Sequence, residues 1–185
     1  MKRLFAAIKI HPDAEFLKSF RELKHLLGHE QIKWVEESNF HFTLKFFGET
    51  EEHYISSISG VLQQRASVTP SMELQLSGLG IFGSSYAPKV IWAGIEPSSD
   101  PFLLMKNIHT DLKSLGFEPD RQNLVPHLTL GRIKMLRDKV IFTRTIDRFK
   151  SISSMPICVK EMILYESILH QNGPEYIVLE KFLFT

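Results

Sequence analysis

Two short stretches of the chain place a threonine two residues beyond a histidine: "HFTL" at residues 41–44 and "HLTL" at residues 127–130. The chain has only 8 histidines in 185 residues. In a strand, residues i and i+2 project from the same face. His41 and Thr43 therefore share a face, as do His127 and Thr129. Phe42, Leu44, Leu128 and Leu130 project from the opposite face and anchor each strand on its packed side. An imidazole titrates near pH 6.5, so one ring of a pair can be neutral while the other is protonated. Two such rings facing across a cleft supply a base and an acid, which is what in-line displacement at phosphorus needs. Threonine hydroxyls can donate hydrogen bonds to the non-bridging oxygens where charge builds.

A single His-x-Thr in a strand carries little information, because threonine is common in strands through β propensity alone. Two copies at matching places in two matching halves point to a paired site. Zinc or copper binding is the rival chemistry for two histidines. Neither motif offers a third His, Cys or carboxylate on the same strand face, and threonine is a poor ligand for these ions. The expectation is therefore chemistry without a metal or other cofactor. A groove that binds a nucleotide or RNA end without turning it over is the alternative function, although binding alone does not require a protonatable pair.

The elements that must hold these residues repeat in order. Leu4 to Ile10 reads as a strand, and Phe16, Phe20, Leu23 and Leu27 recur at helical spacing after a start at Pro12 or Asp13. A β-rich stretch carrying the first motif follows, and Thr50 with Glu51 and Glu52 reads as the cap and first turn of a second helix. "MELQLSGLGIF" alternates as a strand, and the turn-forming "GSSYAPK" marks the middle of the chain. The second half repeats the plan: the strand "VIWAGI", a helix starting at Asp100 and Pro101, the motif strand "LVPHLTLGRI", and a weaker helix over 136–149. "ICVKEMILYESI" and "YIVLEKFLF", joined by "HQNGPE", make a closing hairpin. Ile8 lies 33 residues before His41 (41 − 8), and Ile95 lies 32 before His127 (127 − 95). The expectation is one α+β domain over residues 1–185. It is bilobal and pseudo-symmetric, with halves 1–83 and 88–185, each lobe an antiparallel sheet backed by helices, and a site in the groove between them.

The 22 basic and 21 acidic residues leave a net charge of +1. That excludes the basic excess of a protein that coats long nucleic acid, but leaves room for contact with one or two phosphates. The single cysteine, Cys158, allows no intrachain disulfide and reads as a buried core residue of a protein in a reducing compartment. The N-terminal apolar run is too short for a signal peptide, and no segment approaches the length of a membrane span. The expectation is a cytoplasmic monomer with no membrane partner.

The two motifs together resemble the signature of the two-histidine (2H) phosphoesterase superfamily. "LFAAI", "WVEESNFHFTLKFFGE", "GLGIFGSSYAPKVIWAGI", "PHLTLGRI" and "LYESILHQNGPEYIVLEKF" are similar to its RNA 2′,3′-cyclic phosphodiesterase (2′–5′ RNA ligase-like) branch. The resemblance runs from Arg3 to Phe184. It implies the same bilobal fold. It also implies metal-independent hydrolysis of cyclic phosphates on RNA ends or small nucleotides to 2′-phosphomonoesters, with reversible 2′–5′ ligation. By the same resemblance His127 activates water and His41 protonates the departing 3′ oxygen, a direction the residues themselves leave open. Arg132 matches a phosphate-contacting arginine and Phe46 an aromatic position near the nucleobase. Strict alternation turns both away from the histidines, so Arg132 needs a bulge or a place on the rim, and core packing is the other reading of Phe46. Lys45 has the parity to offer phosphate a point charge from the cleft, or is a solvated lysine at a strand end.

Overall fold

The computed structural model describes residues 1–84, 86–119, 124–171 and 173–185. The elements, in chain order, are β1 (Lys2–Lys9), α1 (Ala14–Leu26), β2 (Gln31–Trp34), β3 (His41–Thr50), α2 (Tyr54–Ala66), β4 (Met72–Gly83), β5 (Pro88–Glu96), α3 (Ser99–Asp111), β6 (His127–Met135), α4 (Lys139–Arg148), β7 (Ile157–Val159), β8 (Glu161–His170) and β9 (Gly173–Leu183). Local signals account for several boundaries. Asp13 caps α1 by accepting from the amides of Glu15 and Phe16, and Asp138 caps α4 in the same way. Gly116, at φ 83°, ends the 3-10 turn that follows α3.

The sequence reading needs correction at Thr50. It is the last residue of β3, its hydroxyl donates to the Gly48 carbonyl, and α2 begins only at Tyr54. Strand pairing holds Thr50 opposite Lys2, so the chain is still extended where a cap was expected. The hairpin strand expected as one run over "ICVKEMILYESI" breaks at Lys160 into β7 and β8. The two turn stretches "GSSYAPK" and "HQNGPE" lie partly outside the described residues, at Ser85 and Asn172.

The strands form one antiparallel sheet in the order β7-β4-β5-β6-β3-β1-β8-β9, with β2 pairing on β6. Lys160 alone separates β7, at one end of this order, from β8, one strand in from the other end, and the sheet is curled. The topology mixes the two halves of the chain. β1 and β3 are extended by β8 and β9 from the C-terminal half, and β5 and β6 by β4 and β2 from the N-terminal half. Helices α2 and α3 pack on the side of β3, β8 and β9. Helix α1 meets β2 through Phe20 and Trp34 and meets α4 through the Glu22–Arg148 ion pair. The main core lies between sheet and helices and includes the fully buried Phe16, Phe20, Phe40 and Phe42. Burying each such ring contributes about 2–3 kcal/mol. Phe5, Ala7, Ile163 and Tyr165 form a second cluster on the opposite, concave face.

Candidate active site

The two lobes of the sheet meet at one pair, Phe42 with Leu128, the residues between the His and Thr of each motif. The antiparallel register through that pair sets His41 toward Thr129 and Thr43 toward His127. Each histidine thus has the other motif's threonine as its cross-strand neighbour. Phe42, Leu44, Leu128 and Leu130 are buried in the core, as alternation requires, and the four polar residues line the opposite face half-buried.

Both rings are held alike. His41 Nδ1 lies 2.7 Å from the Asn39 carbonyl oxygen, and His127 Nδ1 lies 2.6 Å from that of Val125. A carbonyl only accepts, so each Nδ1 carries the proton and each neutral ring turns an Nε2 lone pair to the groove. Aromatic rings wall both. Phe5 and Tyr176 stand 5.1 and 5.2 Å from His41, and Phe82 and Trp92 stand 4.8 and 6.2 Å from His127, centroid to centroid. Burial among these rings pushes the His41 pKa down to about 4, against the carbonyl of Asn39, with Lys9, Arg132 and His127 adding repulsion. Burial also lowers His127, again with help from Arg132. Arg132 thus acts on both rings.

Arg132 reaches the groove because β6 bulges. Thr129 pairs with Trp92 and Gly131 with Ile91, leaving Leu130 as the extra residue. Beyond the bulge the alternation is reset, and Arg132 is exposed on the histidine face. β3 repeats the device. Thr43 pairs with Ala7 and Lys45 with Ala6, so Leu44 is the extra residue. Phe46 then pairs with Phe5 on the groove face, 43% exposed, with the Arg3 guanidinium 5.1 Å from its ring centroid. That exposure overturns the other reading of Phe46, core packing. The same bulge overturns both readings of Lys45, which is turned to the packed side, 3% exposed, and donates to the Glu118 carbonyl at 2.9 Å. Phe46 and Arg132 each stand five residues beyond their histidine.

Several residues of the site carry no sequence signal. Tyr176 is 135 residues from His41 (176 − 41). His109, which reads as an ordinary helix residue, is 3% exposed, and its Nε2 donates to the carbonyl of the bulged Leu44 at 3.1 Å. Of the two tryptophans, Trp92 is a groove wall and Trp34 packs on Phe20. Cys158 is exposed rather than core, because β7 turns it outward on an edge strand. The strand register also matches Ile8 with Ala93, not Ile95, since these face Phe42 and Leu128 respectively. Among the described residues no cluster of three or more His, Cys, Asp or Glu is arranged to hold a metal ion, and no helix is long and apolar enough to cross a membrane.

The profile of a family described as LigT-like phosphoesterase matches residues 8–92 and 96–176. A Methanocaldococcus jannaschii protein named RNA 2′,3′-cyclic phosphodiesterase is 34% identical over 97% of the chain and 99% of its own length. One of the same name from Archaeoglobus fulgidus is 32% identical over 94% and 96%. Among solved structures, a Thermus thermophilus protein superposes with a TM-score of 0.80 at 22% identity, covering 98% of this chain and 97% of that one. E. coli LigT complexed with 3′-AMP gives 0.74 at 21% identity, covering 100% and 98%.

Proposed function

Because the chain belongs to the LigT-like phosphoesterase family, we propose that it hydrolyses 2′,3′-cyclic phosphates on RNA ends or small nucleotides to 2′-phosphomonoesters by paired-histidine acid–base catalysis. The observation that carries this reading is the matched pinning of His41 and His127, each Nδ1 on a carbonyl and each Nε2 toward one groove. The names of the relatives agree with it.

Water enters beside His127, whose Nε2 takes its proton as the oxygen bonds to phosphorus. The bond from phosphorus to O3′ breaks, and the Nε2 proton of a protonated His41 passes to that oxygen. Thr43 and Thr129, placed between the rings, donate to the non-bridging oxygens, and Arg132 adds charge from the groove wall. Phe46 offers a face to the nucleobase. With a 5′-hydroxyl in place of water, the same displacement joins two RNA ends through a 2′–5′ bond. One chain supplies both motifs, which supports a monomer, working in the cytoplasm. Lys45 has no part in this reading, since it is buried behind the sheet.

His41→Ala and His127→Ala are each expected to lower kcat on a 2′,3′-cyclic nucleotide about 10²- to 10⁴-fold while remaining folded by circular dichroism. Full activity in either refutes the assignment. The roles separate on a nucleoside 2′-(4-nitrophenyl phosphate), whose leaving group needs little help from an acid. His41→Ala is expected to recover most of its rate there and His127→Ala to stay slow; the reverse pattern exchanges the roles.

A further inference from the structure

The concave face does not stop at His41. It continues across β1, β8 and β9 into a recess of about 420 Å³ lined by Lys9, Lys160, Lys181, Tyr165 and Tyr176 among others. The register places these groups. Lys9 pairs with His41, and Thr43, Ala7, Ile163 and Lys181 stand in one row over four strands. Strand spacing puts Lys181 roughly 14 Å along the sheet from Thr43. Lys160 sits at the break between β7 and β8. Among the described residues Glu161 is the one carboxylate of the lining, and it is paired with Lys181 at 2.8 Å. Three ammonium groups against one carboxylate leave a local excess of positive charge in a chain whose net charge is only +1. The Lys9 ammonium is partly committed, since it donates to the Ser38 carbonyl.

We propose that this recess is a second phosphate subsite, which takes the phosphodiester on the 5′ side of the terminal nucleotide and so favours an RNA strand over a free cyclic mononucleotide. Lysine ammonium groups offer phosphate mobile point charges, and the tyrosine floor gives the ribose and base an amphipathic surface. The proposal rests on the hydrolysis reading above, and its test separates the two.

Lys160→Gln and Lys181→Gln, both exposed and outside the catalytic groups, are assayed on a 2′,3′-cyclic mononucleotide, on the same nucleotide with a 5′-phosphate, and on a cyclic-ended trinucleotide. The expected result is an unchanged rate on the first, and on the trinucleotide a kcat/KM about five- to tenfold lower with a shallower salt dependence. Loss on the trinucleotide alone assigns the strand as ligand; equal loss on the 5′-phosphorylated mononucleotide keeps the phosphate site and assigns it to free nucleotides. Equal rates for variants and wild type on all three overturn the proposal. Cys158, the chain's single thiol, lines the recess and gives a readout without turnover. A trinucleotide ending in a 2′-phosphate is expected to slow its labelling by a thiol reagent severalfold, and the 2′-mononucleotide is not. If cyclic nucleotides are not hydrolysed at all, the hydrolysis reading fails, and the labelling result alone decides the subsite: protection supports it and no protection overturns it.

Discussion

A neutral imidazole and a protonated one are both needed for the displacement, yet burial lowers both rings below their ordinary value, His41 to about 4. In the empty enzyme at neutral pH both are therefore neutral. The singly protonated form is populated between the two depressed pKa values, whichever ring holds the proton, because the two assignments give the same pH curve. The sign follows directly: kcat/KM is expected to peak below pH 6.5 and fall on the alkaline side as the remaining proton leaves. A bound phosphate anion favours the imidazolium and raises its pKa, so the optimum of kcat should lie at higher pH than that of kcat/KM. Initial rates from pH 4 to 9 on a cyclic nucleotide test this. An alkaline limb of kcat/KM at or above pH 7 would contradict depression by burial.

The strands decide which side chains reach those rings, and the decisive features are bulges. Gly80 shows how closely the strand framework fits the site. A Cβ built on it would come 2.0 Å from the Trp92 ring, the wall of His127. Gly80→Ala must push that ring aside, and the expected outcome is a kcat/KM at least tenfold lower with a Tm only a few degrees lower. A variant with wild-type kinetics would show that the indole does not position His127. The motif strands, α1 and the packed faces were legible because period two and period 3.6 patterns are strong in "HFTL", "HLTL" and the Phe16–Phe20–Leu23 stripe. The bulges at Leu44 and Leu130 were not, since an extra residue in a strand leaves no mark in composition and appears only against a partner strand. That is why alternation misplaced Lys45 and Phe46 and left Arg132 open. His109 and Tyr176 were illegible for a related reason, as their contacts with the first motif come from distant chain segments.

At the scale of the molecule, the groove lies on the seam where two lobes meet through a single strand pair, and each lobe is built from both halves of the chain. A ligand that bridges His41 and His127 therefore clamps the seam and should stabilise the whole fold. The effect must depend on pH. Both histidines have folded pKa values below the unfolded value of about 6.5. Between roughly pH 4 and 6.5 the unfolded chain then binds more protons, and stability falls as pH falls through that window. An anion between the rings favours their protonated forms and offsets this loss. Sulfate, a dianion throughout the range, is expected to raise Tm more at pH 5 than at pH 8. It also stabilises proteins by exclusion from their surfaces, whatever the state of two imidazoles. The double variant His41→Asn, His127→Asn isolates that general part and should show the same sulfate shift at both pH values. Thermal unfolding of both proteins at both pH values decides the matter. A wild-type shift independent of pH, or a double variant that keeps the extra shift at pH 5, would place anion binding elsewhere than between the two histidines.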